Sequence, residues 1–147
     1  MTETMLDAQG VGLAAPQVHI NKQVIIFRVP EPEEEEKHQK NNTIEITALI
    51  NPKISKISDE TDNDWEGCLS IPGMTGLVKR FSKINYEGFD MNGNIIRRTV
   101  EGIHARIIQH EYDHLMGIMY TRRLADIRAF GFSEEIVNFW KKKDEKN

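Results

Sequence analysis

The chain has 147 residues, of which 39% are hydrophobic and 29% are charged, and its formal net charge is −4. This balance is typical of one small globular domain and excludes the disordered and fibrous classes, so we expect residues 1–147 to form a single domain. The acidic net charge argues against nucleic-acid binding as the main activity, and no apolar run reaches the ~20 residues of a membrane helix. The single cysteine, Cys68, cannot form an internal disulfide, so we expect a reducing compartment.

A short helix, a turn and a strand are predicted at the start of the chain. Residues 1–9 resemble the end of a helix, and Gly10 is the expected C-cap because glycine adopts the left-handed conformation without strain. Residues 10–17 are predicted to form a tight glycine-rich turn that runs into an extended segment. The apolar run Val24–Val29 predicts a buried strand.

Two loops flank a long strand in the next part of the chain. Residues 30–43 are predicted to form a mobile acidic loop, because a segment this polar cannot be buried. Residues 44–57 are predicted to form a strand that bends at Asn51-Pro52, since proline cannot donate to a strand ladder. Residues 58–64 are expected to form an acidic loop.

A hairpin and two helices are predicted in the second half. Residues 77–90 favour one or two strands, and Asn92-Gly93 is a strong hairpin turn that leads into a strand over residues 94–101. The strongest helix prediction covers residues 102–116 and ends at Gly117. A last helix is expected to begin at the cap residue Ser133, with Ile136, Val137 and Trp140 packing inward. Strands outnumber helices and mostly meander, which predicts the α+β class.

The segment HEYDH, residues 110–114, matches the HExxH pattern of metal-dependent hydrolases. Histidines four residues apart on a helix project to one side, where both can bind one metal ion. Glu111 can then reach a water bound to that metal and take its proton as the water attacks a carbonyl. The alternative interpretation is a pair of core histidines on a buried helix.

A hydrolytic site of this kind needs a third protein ligand and one open position. Cys68 is the candidate, although it lies far from the helix in sequence. The alternative for Cys68 is a small buried hydrophobic residue, the common environment of a free cysteine. The other histidines, His19, His38 and His104, have no ligand spacing.

Three segments together resemble the peptide deformylase family. They are GVGLAAPQ at residues 10–17, EGCLS at residues 66–70, and QHEYDHL at residues 109–115 followed by Gly117. The resemblance covers nearly the whole chain and implies a deformylase-like fold of mostly antiparallel sheets packed around a central metal-binding helix. It also implies that this single catalytic domain lacks the usual N-terminal strand and the first part of the first helix.

The resemblance implies a catalytic centre with a metal ion. Cys68, His110 and His114 are the implied ligands of one divalent metal, with water in the fourth position. Glu111 is the implied general base and then the general acid.

The resemblance also implies roles for residues around that centre. Gln17 and the backbone N–H of Leu69 are the implied donors to the oxyanion, a geometry that two converging donors permit. Val11 and Gly12 are expected to lie along the substrate chain, although an ordinary turn also explains their motif.

Two further pairs of residues are assigned by the same resemblance. Ile103 and Ile107 are expected to form walls for the methionine side chain, with plain core packing as the alternative. Arg80 is expected to pair with Asp113 and so hold the helix relative to the sheet, with two unrelated surface charges as the alternative.

The implied reaction is removal of the N-formyl group from the N-terminal formyl-methionine of newly made polypeptides, with release of formate. Fe²⁺ is the implied ion, and Zn²⁺, Ni²⁺ and Co²⁺ stay open as alternatives. The expected partners are formyl-methionyl nascent peptides at the ribosome exit, bound by a monomer that contacts neither nucleic acid nor membrane. The expected location is the bacterial cytoplasm, with an organelle as the open alternative.

Two other functions stay open from the sequence. One is a general HExxH peptidase, for which Cys68 and Gln17 are coincidences. The other is a catalytically silent, truncated deformylase paralogue that acts as a binding module.

Overall fold

Two antiparallel sheets and one long helix make up the computed structural model, which describes residues 1–30, 44–136 and 138. The helices are α1 (Thr2–Asp7) and α2 (Gly102–Leu115), and short 3₁₀ turns cover Ala15–Val18 and Tyr120–Arg123. The strands are β1 (Gly12–Ala14), β2 (Val24–Val29), β3 (Ile44–Lys56), β4 (Thr61–Cys68), β5 (Ile71–Phe81), β6 (Lys83–Phe89), β7 (Ile95–Glu101) and β8 (Phe130–Phe132). The predicted α+β class is confirmed.

The larger sheet has the strand order β1-β2-β3-β6-β7, and the smaller sheet has the order β4-β5-β8. The predicted bend in β3 is confirmed, because the register with β6 shifts between Ile50 and Lys53 and Asn51 has a φ of 50°. The predicted turn at Asn92-Gly93 is confirmed as well. Gly93 has a φ of 81°, a conformation that costs glycine little, and it joins β6 to β7.

The helix α2 is buried on several sides and lies against the larger sheet. Its residues Ala105 and Ile108 are fully buried in a core that β2, β3 and β6 complete through Phe27, Leu49 and Ile84. A helix surrounded in this way must bury polar residues too, and each then needs a partner. The helix ends before Gly117, whose φ of 69° fits the predicted stop.

Gln109 connects α2 to the smaller sheet. Its side-chain nitrogen donates to the Phe81 carbonyl at 2.9 Å, and its side-chain oxygen accepts from the Phe81 N–H at 3.0 Å. This double contact satisfies both backbone groups of one residue at the end of β5. It therefore fixes α2, and the histidines it carries, to the smaller sheet.

Three predictions about element ends are wrong. The C-cap of α1 is Ala8, Gln9 takes the left-handed conformation with a φ of 55°, and the Gly10 N–H bonds to the Met5 carbonyl at 2.8 Å. The extended segment predicted within residues 10–17, by contrast, is confirmed as β1. Most of the expected loop at residues 58–64 belongs to β4, which starts at Thr61, and β5 starts at Ile71 rather than at residue 77.

The strand β4, which the sequence did not predict, lacks the alternation of apolar and polar residues for a physical reason. Among the described strands it pairs with β5 alone, so it lies at the edge of its sheet, and its first four residues are exposed. A strand with so little buried surface does not need alternating apolar residues.

Parts of two predictions lie outside the described residues. The acidic loop predicted over residues 30–43 lies outside them from residue 31, and so do Val137 and Trp140 of the last helix. Residues 133–136 are helical, which confirms the predicted start at Ser133. Among the described residues, none of the helices is both long enough and apolar enough to cross a membrane.

His104 fills a core position that makes stability sensitive to acid. Its Nε2 lies 3.3 Å from Tyr86 Oη, and the rings of Phe27 and Tyr86 are both 5.6 Å away. Burial, with a contribution from the charge of Arg98, lowers the pKa of His104 to about 4. The unfolded chain, with an ordinary histidine pKa of about 6.5, binds this proton first as the pH falls.

We therefore expect His104→Gln to reduce the acid sensitivity of folding. In the native chain the free energy of unfolding should fall by about 2 kcal/mol between pH 7 and pH 5 on account of His104 alone. Urea unfolding of both proteins across this range measures the difference, and His19→Gln, at an exposed histidine, is the matched control. Parallel pH profiles for the native chain and His104→Gln would contradict the expectation.

Candidate active site

One cleft of about 420 Å³ collects nine of the twelve predicted site residues. It lies where β1, the end of β4 and one face of α2 meet. The nine are Val11, Gly12, Gln17, Cys68, Leu69, Ile103, Ile107, His110 and Glu111. The remaining three, His114, Arg80 and Asp113, are buried and do not line it.

The donor atoms of Cys68, His110 and His114 all lie within 4.8 Å of one another. Cys68 Sγ is 3.3 Å from His114 Nε2, close to the ~3.6 Å that separates sulfur and nitrogen ligands of one tetrahedral ion. One thiolate and two imidazoles are a donor set for divalent transition metals. The three side chains therefore fit a mononuclear metal site, and they reach it from two different elements, β4 and α2.

Glu66 orients the first of the two histidines. It lies in β4 two residues before Cys68, and its Oε2 is 2.8 Å from His110 Nδ1. When Nδ1 donates to this carboxylate, Nε2 is left free to bind a metal. The ring of Tyr120 stacks on the other side of His110, with centroids 6.1 Å apart.

Two buried arginines hold the Glu66 carboxylate in place. Arg80 contacts both carboxylate oxygens at 2.9 Å, and Arg106 contacts Oε1 at 2.9 Å. Arg80 also pairs with Asp113, and Arg123 reaches the same aspartate at 2.8 Å. The structure thus brings Arg80 and Asp113 together as part of a larger network, in which each buried charge has a partner of opposite sign.

The network and the burial of the site shift the pKa values of Glu66, Cys68, His110 and Glu111, among others. Burial raises the pKa of Glu66, but the hydrogen bonds from Arg80 and His110 outweigh it and lower that pKa to about 2. Burial also raises the pKa of Cys68, and hydrogen bonds with His110, His114 and the Ser70 backbone outweigh it, so this pKa falls to about 6.

The other two shifts raise a pKa. Burial lowers the pKa of His110, but its contacts with Cys68 and Glu66 raise it to about 10. For Glu111 burial dominates and raises the pKa to about 7. The site therefore stabilises a thiolate at Cys68, the form of cysteine that binds metals.

Glu111 is a buried carboxylate with an oxygen that, within the described part of the chain, is free to accept a hydrogen bond from an entering group. The side chain is 4% exposed, and among the described residues its Oε2 has no hydrogen-bond partner. Buried carboxylate oxygens are seldom left unpaired, so this atom is available to a group that enters the cleft.

Gly12 makes the room for Glu111. A Cβ atom added at Gly12 would lie 2.2 Å from Glu111 Oε1. The glycine of the motif is thus required by its neighbour on α2, independently of any substrate.

Gly12→Ala is therefore expected to displace the Glu111 carboxylate. The substitution should lower kcat strongly while it changes the melting temperature only slightly. Gly67→Ala is the matched control, since a Cβ there meets only the Met74 carbonyl, at an ordinary 3.5 Å. Steady-state kinetics and thermal melts of both variants test this, and an unchanged kcat in Gly12→Ala would show that Glu111 tolerates the shift.

The residues that the sequence did not predict are those that contact the candidate metal ligand His110 or the carboxylates of the buried network. Glu66 lies in the EGCLS motif, but the sequence predicts no role for it. The sequence also gives no prediction for Arg106, Tyr120 or Arg123. The available signal was the acidic Glu66 two positions before Cys68, together with Arg106 on the predicted helix one turn before His110. A charge in such a place needs a partner, although the sequence does not say which one.

Taken together, the paired histidines on a buried helix, the thiolate beside them and the free carboxylate oxygen define the class of metal-dependent hydrolases. Comparison with known proteins identifies the family. The model of the polypeptide deformylase family matches residues 1–129. Peptide deformylase 1 of Nitrosomonas europaea is 46% identical over 92% of this chain and 76% of its own length, and peptide deformylase 1 of Bordetella pertussis is 47% identical over 91% and 74%.

Solved structures agree with these relatives. A class I type b peptide deformylase from Acinetobacter baumannii, with Met-Ala-Ser bound, superposes with a TM-score of 0.74 at 38% identity, covering 84% of this chain and 76% of that one. The chain therefore belongs to the peptide deformylase family, whose members are metal-dependent hydrolases that remove the N-formyl group from newly made polypeptides. The resemblance drawn from the three sequence motifs is confirmed.

Proposed function

We propose that this chain hydrolyses N-formyl-methionyl peptides in the cleft lined by Cys68, His110 and Glu111, with His114 as the third donor beside it. The observation that carries the proposal is the position of one unpartnered, buried carboxylate oxygen beside a complete Cys-His-His donor set. A hydrolase needs a base near the place where water is activated, and this arrangement supplies both within one concave site.

Cys68, His110 and His114 are the proposed ligands of one divalent ion. When bound, such an ion acts as a Lewis acid that activates water and polarises a carbonyl group. We propose Fe²⁺ as the resident metal, and the same donors also suit Zn²⁺, Ni²⁺ and Co²⁺.

Glu111 is the proposed proton carrier. It takes a proton from the water that attacks the formyl carbon, and the carbonyl oxygen becomes negatively charged. It then gives that proton to the amine nitrogen as the C–N bond breaks, so that formate and a free amino terminus result. Gln17 Nε2 and the Leu69 N–H are the proposed donors to the negative oxygen, and both residues line the cleft.

The remaining cleft residues are proposed to bind the substrate. Val11 and Gly12 lie along the peptide chain, and Ile103 and Ile107 form walls for the methionine side chain. We further propose that the protein acts as a monomer in the bacterial cytoplasm, on nascent peptides near the ribosome exit.

Arg80 and Asp113 are proposed to hold α2 relative to β5 rather than to touch the substrate. Their ion pair is buried, with both side chains less than a tenth exposed. It joins a strand of the smaller sheet to the helix that carries both histidines.

The test of the function uses matched peptides. Formyl-Met-Ala-Ser and acetyl-Met-Ala-Ser are incubated with metal-loaded protein, and formate, free amino termini and cleaved peptide bonds are measured. We expect formate from the first peptide and slow or no deacylation of the second. Cleavage of internal peptide bonds would instead favour the general HExxH peptidase, and no turnover at full metal occupancy would favour the silent paralogue.

Cys68→Ala is expected to abolish tight metal binding. Two histidines alone leave an incomplete site, so the variant should retain much less than one equivalent of metal after dialysis. Metal analysis by mass spectrometry measures this, with His19→Ala, at an exposed histidine, as the control that should retain the full equivalent. A full equivalent in Cys68→Ala would remove Cys68 from the ligand set.

A further inference from the structure

The backbone of β1 holds the oxygen end of the Gln17 side-chain amide. The Ala14 N–H donates to Gln17 Oε1 at 2.8 Å. Because only the amide oxygen can accept this bond, the contact distinguishes the oxygen end of the amide from the nitrogen end. Nε2 then points to the end of β4, where it is 3.0 Å from Ser70 Oγ and 3.8 Å from Cys68 Sγ. An amide nitrogen carries two hydrogens, so it can serve two acceptors at once.

Ser70 is attached to the same centre through its own backbone. Its N–H points to Cys68 Sγ at 3.4 Å, so the position of its hydroxyl follows the position of the cysteine. The hydroxyl accepts one hydrogen of the Gln17 amide, and the second hydrogen is directed to Cys68 Sγ at 3.8 Å, an atom of a residue that lines the cleft. The two side chains are 53 residues apart in the chain, so only the fold brings them into contact.

We infer that Ser70 is a positioning residue, which holds the Gln17 amide so that its second hydrogen faces the oxyanion formed during deformylation. This inference rests on the proposed function, because it requires Gln17 to be an oxyanion donor. A donor that is already oriented needs no rearrangement when the charge develops, and this is the source of its effect. The last torsion angle of glutamine is intrinsically broad, so without the hydroxyl the amide plane can rotate away.

A double-mutant cycle tests the inference on the metal-loaded enzyme with formyl-Met-Ala-Ser. Ser70→Ala should lower kcat about five- to tenfold, the scale of one neutral hydrogen bond, with KM, metal content and melting temperature unchanged. Ser70→Thr keeps the hydroxyl and should restore kcat. In a Gln17→Ala background, adding Ser70→Ala should have little further effect, because the group to be positioned is absent.

Two kinetic results would overturn the inference. One is a normal kcat in Ser70→Ala at full metal occupancy. The other is an equal loss from Ser70→Ala with and without Gln17, which would mean that Ser70 acts on another group, such as Cys68.

A spectroscopic measurement separates this inference from the proposed function. In the zinc-loaded protein, the side-chain amide signals of Gln17 in ¹⁵N–¹H NMR spectra should shift in Ser70→Ala and return in Ser70→Thr. If the native chain releases no formate, the proposed function fails, and these signals alone decide whether Ser70 orients Gln17. Gln17 signals that are identical in the native chain and Ser70→Ala would overturn the contact itself.

Discussion

Replacing Glu111 by glutamine is expected to lower kcat by about 10²–10⁴-fold while the metal stays bound. Glutamine has the same shape but cannot accept and return a proton, and general acid–base groups contribute a factor of this size. The side chain is buried, and its Oε2 has no hydrogen-bond partner among the described residues. The substitution therefore breaks no hydrogen bond of Oε2 with those residues. Steady-state formate release, measured beside metal content, gives the result.

The control for this prediction must separate catalysis from folding. Glu87→Gln changes a half-buried carboxylate on β6 that pairs with Arg97 and Lys53 and does not line the cleft, and it should leave kcat unchanged. If Glu111→Gln retained near-normal kcat at full metal occupancy, Glu111 would have to be removed from the mechanism, and another proton carrier would be needed.

Glu66→Gln is expected to cause the largest loss of stability. It removes the negative charge between Arg80 and Arg106, whose side chains are only 3% and 5% exposed. Breaking a buried ion pair by removing one partner costs about 3–5 kcal/mol. Arg80 keeps its pair with Asp113 and Arg106 keeps its pair with Asp62, so we expect a loss at the lower end of this range, about 3 kcal/mol. Urea unfolding at pH 7 measures the change in the free energy of unfolding.

The same substitution should weaken metal binding. The Glu66 carboxylate orients His110 through the contact with Nδ1, and losing such a partner of a metal ligand typically costs 10–100-fold in affinity. Competition with a chelator measures the affinity, and Glu87→Gln is again the matched control, with an expected stability change below about 1 kcal/mol. Equal metal affinities and equal free energies of unfolding in Glu66→Gln and Glu87→Gln would contradict the proposed role of the buried network.

The local elements of this fold could be predicted because their signals are local. The helix α2, the hairpin turn at Asn92-Gly93 and the bend at Asn51-Pro52 each depend on residues that are neighbours in the chain. The spacing of His110 and His114 on one side of α2 has the same origin. Element ends were predicted less well, as at Gln9 and Thr61, because exposed edge positions carry little apolar pattern.

The contacts between distant segments were decided by the tertiary structure. The histidine pair and the resemblance of the three motifs indicate a metal-dependent deformylase from the sequence alone. Cys68 meets His114 across 46 residues, and Glu66 meets Arg106 across 40, only because the smaller sheet packs on α2. The need of Gly12 to make room for Glu111 is equally a property of packing. Composition and spacing report what each residue can do, whereas the partner of a buried charge is determined by which surfaces the folded chain brings together.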